Sequence, residues 1–100
     1  MSSAKRVFAV IRERGDDYQL SLPLEEQLDW EAHAAYMDEL HAEGFFIFAG
    51  PLEGTGEVLL IVRAGDEGEI LQRLDEDPWT GTLLNTVRIA EWDVRVGSLP

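Results

Sequence analysis

Two stretches of the chain, residues 45–49 (Phe45-Phe46-Ile47-Phe48-Ala49) and 58–62 (Val58-Leu59-Leu60-Ile61-Val62), are apolar at every position. Their length, their β-branched and aromatic content and the glycines around them mark them as strands. A strand of an antiparallel sheet with one wet face alternates apolar and polar side chains. These two do not alternate, so both faces of their sheet must be covered. The segment between them, 50–56, is rich in glycine and carries Pro51. It is too short for the crossover of a dozen residues that a parallel return needs, which makes the pair an antiparallel hairpin.

The rest of the chain fixes what surrounds that hairpin. Residues 7–11 form a short β-branched run closed by Gly15-Asp16-Asp17, a first strand. Residues 24–43 are rich in Ala, Leu, Glu and Gln, follow Pro23 and stop at Gly44, which predicts one long helix. A shorter helix opens at Asp66, with Glu69 placed to cap it, and buries Ile70, Leu71 and Leu74. It ends at Asp77-Pro78, because the residue before a proline is pushed out of the α region. The last run, 86–96, alternates, but Val87 and Ile89 fall on one face and Trp92, Val94 and Val96 on the other. A bulge near Ala90-Glu91 is the expected cause.

The order is β-α-β-β-α-β in a single domain spanning 1–100. This predicts an α+β, ferredoxin-like fold, with an antiparallel four-stranded sheet and two helices on one face. Two helices cover only that face. An uncovered second face would exceed the apolar patch of roughly 300–600 Å² that a monomer tolerates. A second copy, packed sheet against sheet, is the expected cover, so the chain is expected to be a homodimer.

Charge narrows the partners. Twenty acids against eight bases leave a formal net charge of −12. Such a chain repels phosphate backbones and anionic lipid, which argues against nucleic acid and membrane as partners. There is no cysteine, hence no disulfide framework, thiolate metal site or cysteine nucleophile. The apolar run after Lys5 and Arg6 is broken by Arg12-Glu13-Arg14 and is too short for a signal peptide. No run approaches the roughly 20 apolar residues of a membrane span. A full-length, soluble, cytoplasmic protein is the expectation.

Few residues carry chemistry. His33 and His41 lie eight apart on the long helix, about 80° and 12 Å from each other, whereas a helical zinc pair needs i,i+4 spacing. No metal site and no cofactor are expected. Gly54-Thr55-Gly56 sits in a hairpin and does not open onto a helix N-terminus, so it is no nucleotide fingerprint. His41, near the helix end, fits a surface residue facing the C-terminal dipole. His33 shares its helical face with Trp30, Met37 and Leu40. It is either a core imidazole satisfied by a backbone carbonyl or a ring aimed into a site. In Asp75-Glu76-Asp77-Pro78-Trp79 the acids crowd a helix C-terminus, where negative charge is unfavourable. A cation or an imidazolium nearby would compensate one of them.

Several motifs occur together: His33 separated by seven residues from His41-Ala42-Glu43-Gly44, Ala49-Gly50-Pro51-Leu52, Asp77-Pro78-Trp79, and Val87-Arg88-Ile89. In this the chain resembles the YciI-like (YCII-related) family, small bacterial ferredoxin-like dimers of the dimeric α/β-barrel superfamily. The resemblance runs from the first strand to about Trp92. It implies a histidine of the first helix paired with an aspartate of an Asp-Pro-aromatic segment, here His33 and Asp77, as a catalytic centre. One departure is Glu91, where such proteins often carry Pro before the aromatic. It alters the rim of the cleft and not the pair.

The pair is chemically sensible in itself. A carboxylate bonded to one imidazole nitrogen fixes the tautomer and leaves the other nitrogen as a base. The expected function is a small cofactor-free enzyme, lyase- or hydrolase-like, using His33 and Asp77 as general base on a small organic molecule. Trp79, Gly50 and Pro51 would line the substrate. Arg12 or Arg63 would neutralise an anionic one, the commoner reading of either being a solvated charge at a strand end. The alternatives are a non-catalytic metabolite-binding or regulatory module on the same dimeric fold, and a purely structural role.

Overall fold

Strand β1 (Arg6–Arg14) puts Phe8, Val10 and Arg12 on one face and Val7, Ala9 and Ile11 on the other, the period-2 pattern of a central strand. The computed structural model that carries this strand describes residues 5–99. A single 3-10 turn (Leu24–Glu26) leads into helix α1 (Trp30–Ala42). The hairpin follows, β2 (Phe46–Leu52) and β3 (Glu57–Ala64). Helix α2 (Glu67–Asp75) and strand β4 (Leu84–Glu91) complete the order. Every strand pair is antiparallel and the sheet order is β2-β3-β1-β4, so the α+β, ferredoxin-like βαββαβ fold holds.

Both helices pack on one face. Leu40 of α1 and Ile70 and Leu74 of α2 meet Phe8, Val10, Leu60 and Val62 in one buried cluster. The cap of α2 is as its sequence implies, with Asp66 Oδ1 accepting from the Glu69 amide at 2.8 Å. In return, Glu69 Oε1 accepts from the Gly65 amide at 2.8 Å. Opposite the helices, Val7, Ala9, Ile11 and Leu59 share a face on which Phe48 stays 54% exposed.

Four boundaries differ from the sequence reading. The helix expected over 24–43 is broken, because Asp29 adopts a left-handed φ of 61° and starts α1 afresh at Trp30. Asp is one of the few non-glycine residues that tolerate this region. The connection before it is pinned by Gln27, whose amide donates to the Gln19 and Leu22 carbonyls at 2.7 and 3.1 Å and accepts from the Gln19 amide. Gly50 and Pro51 belong to β2 and not to a loop, and Pro51 is accommodated because β2 is an edge strand. Strand β4 ends at Glu91, and its extra residue is Val87, between the pairs Ile11↔Arg88 and Arg12↔Thr86, instead of at 90–91. Bulges tend to occur on such edges. Finally, β1 runs on past Ile11 through Arg14, which carries two arginines into the sheet.

Candidate active site

Arg12 follows Phe8 and Val10 onto the helix-covered face of β1 and is only 1% exposed. A guanidinium buried so deeply needs a paired anion, since an uncompensated charge there is very costly. Asp77, whose side chain is fully buried, supplies it: Arg12 Nη1 donates to Oδ2 at 2.8 Å. Arg12 Nη2 donates to Thr80 Oγ1 at 2.6 Å, and that hydroxyl donates to the Leu74 carbonyl. The end of α2 is thereby tied to the centre of the sheet. Arg12 Nε, like Arg73 Nε, is buried without a hydrogen-bond partner among the described residues.

Local structure explains why Asp77 points inward. Its amide donates to Leu74 O at 3.1 Å, closing the last turn after α2, and Pro78 prevents the helix from continuing. The Trp79 amide then donates to Asp77 Oδ1 at 3.0 Å, an Asx-type turn. Trp79 itself is buried, and its indole N–H donates to the Leu28 carbonyl at 2.7 Å, just before the left-handed Asp29. The turn that breaks the predicted long helix therefore provides the anchor for this tryptophan.

His33 comes to the same carboxylate from the first turn and a half of α1. Its Nδ1 lies 2.7 Å from Asp77 Oδ1, and its ring stacks on Trp79 with centroids 3.8 Å apart and planes 4° from parallel. Burial alone pushes the Asp77 carboxyl up. The hydrogen bond from His33, the Trp79 amide, electrostatic attraction to the His33 ring and the Arg12 bond outweigh it and hold the group below the ordinary aspartate value. Arg12 moves down from its usual value because of burial, with Asp77 opposing the change. An ionised Asp77 only accepts, so Nδ1–H of His33 is the donor, and in the neutral imidazole the lone pair is on Nε2. That nitrogen has no hydrogen-bond partner among the described residues and is not sealed from solvent.

His33 and Trp79 form part of the wall of a cavity of about 890 Å³, with Trp30, Tyr18, Gly50 and Pro51 on its other sides. The structure thus brings together around one space four of the five residues singled out from sequence, with the fifth, Asp77, behind His33. Of the two cations considered for an anion, Arg63 pairs with Val7 on the far face of the sheet. Arg12 lines the cavity wall but is committed to Asp77. The solvated strand-end charge expected at Arg12 is incorrect. Its phase with Phe8 and Val10 was the available signal. Thr80, the other missed partner, has no sequence signature beyond its proximity to Asp77. His41, in the last turn of α1, is exposed, and its Nδ1 lies 3.1 Å from the Phe46 carbonyl, so it donates an N–H to an oxygen just beyond the helix end.

Among the described residues no three His, Asp or Glu side chains are grouped to hold a metal ion. No helix among them is long and apolar enough to cross a membrane. Comparison with curated proteins found no match, and comparison with solved structures found none. A family model described as the YCII-related domain matches residues 8–93, which takes in most of β1, both helices, the hairpin, the Asp77-Pro78-Trp79 turn and β4. With all but the ends of the chain matched, the protein belongs to the YCII-related family.

Proposed function

We propose that the protein is a small cofactor-free enzyme, lyase- or hydrolase-like, in which His33 Nε2 removes a proton from a small organic molecule or from water. The observation that carries this reading is the 2.7 Å bond from His33 Nδ1 to Asp77 Oδ1 together with the open Nε2 beside the cavity. Asp77 orients the imidazole and stabilises the imidazolium formed when the proton arrives. Stacking on Trp79 fixes the ring plane, so the base does not have to be oriented again in each turnover. Trp79, Gly50 and Pro51 serve as walls for the substrate.

The base is testable without the natural substrate. Small ketones, β-keto esters and lactones are incubated with the protein in D₂O, and loss of acidic C–H signals is followed by proton NMR. At least one compound is expected to exchange faster with wild type, and His33→Gln to remove about 10²–10⁴ of that acceleration while circular dichroism stays unchanged. Equal rates for wild type and His33→Gln would overturn the proposal. Binding without exchange would favour a metabolite-binding module instead.

The working unit is a homodimer, with the face of Val7, Ala9, Ile11 and Leu59 covered by a second copy. Support comes from Phe48 at 54%, Leu52 at 36% and Val87 at 53% exposure, large apolar groups on or beside one sheet face. Sedimentation at micromolar concentration is expected to return twice the chain mass of 11.2 kDa. A monomer at those concentrations would remove the sheet-against-sheet arrangement.

A further inference from the structure

Arg14 is two residues beyond Arg12 on β1, on the same face and so roughly 7 Å further along the strand. Four other arginines are tied to acids: Arg6 to Glu91, Arg12 to Asp77, Arg73 to Glu43 and Arg95 to Asp93. Arg14 has no such partner among the described residues. Its guanidinium instead lies over the Tyr18 ring, 4.4 Å from the centroid. A guanidinium held this way uses its face on the ring and keeps the N–H donors at its edge for something else.

What lies beyond that edge is the cavity, since Arg14 and Tyr18 both line it. Tyr18 meets Trp79 edge-on at 6.4 Å between centroids, and Trp79 stacks on His33. A continuous series of rings therefore connects the free cation to the proposed base. Trp30, 5.8 Å from both Trp79 and His33, extends the same apolar wall. Among the described residues Glu53 is the only acid lining the cavity, against the two arginines. On a chain of net charge −12, an anion approaches against the overall field unless a local cation offsets it. An unpaired arginine on this wall does so.

We infer that Arg14 is an anion subsite and that the cavity takes an organic carboxylate, its apolar body against Tyr18, Trp30 and Trp79 and its carboxylate on Arg14. The inference rests on the reading of this cavity as the substrate site, and assigns to Arg14 the role that sequence considerations gave to Arg12 or Arg63. Arg12 is left as a structural partner of Asp77. Arginine suits the task because its planar fork matches a carboxylate in two parallel bonds. Tyr18 sets where that fork stands, and so sets how far the ligand body reaches toward His33.

The test uses phenylacetate and its neutral isostere phenylacetamide as probes, titrated into the ¹⁵N-labelled protein. The indole N–H signals and the backbone amides around 12–18 and 77–80 report binding. Phenylacetate is expected to bind at least tenfold more tightly than phenylacetamide. Arg14→Gln is expected to erase that preference, and Arg14→Lys to keep part of it. Arg14 is exposed, so neither variant threatens the fold. His33→Gln is expected to leave the acid-over-amide preference within threefold. Equal affinity for the two probes, no binding of either, or a preference that survives Arg14→Gln would each overturn the subsite. None of these outcomes touches the general-base proposal, which is read from deuterium exchange in His33→Gln. Loss of exchange-based support with the Arg14-dependent preference intact would overturn the base and keep the ligand class.

Discussion

Asp77→Ala is expected to destabilise the protein by about 3–5 kcal/mol, the cost of removing one partner from a buried ion pair. A domain of this size has roughly 5–15 kcal/mol in total, so a large part of its stability depends on one carboxylate. The reason is what remains behind. Arg12 is 1% exposed, its Nε is already without a partner, and Thr80 Oγ1 alone does not balance a guanidinium. Urea unfolding measures the loss. Replacing both partners, as in Arg12→Met with Asp77→Leu, is expected to recover much of it, because an apolar pair leaves no charge uncompensated. A cost below about 1 kcal/mol for Asp77→Ala would mean that water reaches Arg12 and that the pair is not sealed. The same carboxylate sets an acid limit. Its folded value lies below the unfolded one, near 3.9, so its contribution is complete above that value and is lost as pH falls through the folded value. Between pH 4 and 2 wild type is therefore expected to lose more stability than Asp77→Asn.

Gly15→Ala is the second change with a large expected effect. A Cβ at Gly15 would stand 2.3 Å from the Thr82 carbonyl oxygen and 3.0 Å from Asn85 Nδ2. The first of these is backbone, so no rotamer relieves it. Gly15 also donates to the Leu83 carbonyl at 2.7 Å, which fixes the end of β1 against the turn before β4. That turn packs Leu83 and Leu84 against Trp79. Relief of the clash therefore displaces the tryptophan on which His33 stacks. A loss of about 1–3 kcal/mol is expected, with a change in the near-ultraviolet dichroism of the tryptophans. Gly50→Ala is the control, since a Cβ there meets nothing within 4 Å and is expected to cost within about 0.5 kcal/mol. Equal unfolding midpoints for the two variants would show that the Gly15 approach is looser than its distances.

Much of the architecture could be read from hydrophobic pattern because the sheet is built from runs whose period leaves little choice. The unbroken apolar runs at 45–49 and 58–62 read as strands, and the short link between them allowed only a hairpin. The boundaries were harder for identifiable reasons. Residues 24–28 have helix-favouring side chains, and the break at Asp29 is a backbone choice made jointly by Gln27, which holds the preceding loop, and Trp79, which needs the Leu28 carbonyl. Both partners act from outside the helical window. The bulge at Val87 depends on pairing with β1, which no single-strand pattern contains. At the site, His33 could be picked out by its apolar face and Asp77 by its awkward helix end. Arg12 was misjudged because charge was given more weight than phase: two residues beyond Val10, it occupies a core position with a cationic side chain. Arg14 and Tyr18 become meaningful only when folding lays one over the other.

The side-chain partners of the Asp77 carboxylate lie 65 and 44 positions away along the chain, at Arg12 and His33. Contacts that distant are paid for in loop-closure entropy before they return anything. No fragment short of β1 through Thr80 holds the three groups together, and a nascent polypeptide that has not yet exposed its last quarter carries an arginine destined for the interior with no counter-ion to meet it. Under the proposed function, chemical competence therefore waits on the segment that carries Asp77. An assay of the proposed base would, for that reason, also count the molecules in which this long-range closure has been made.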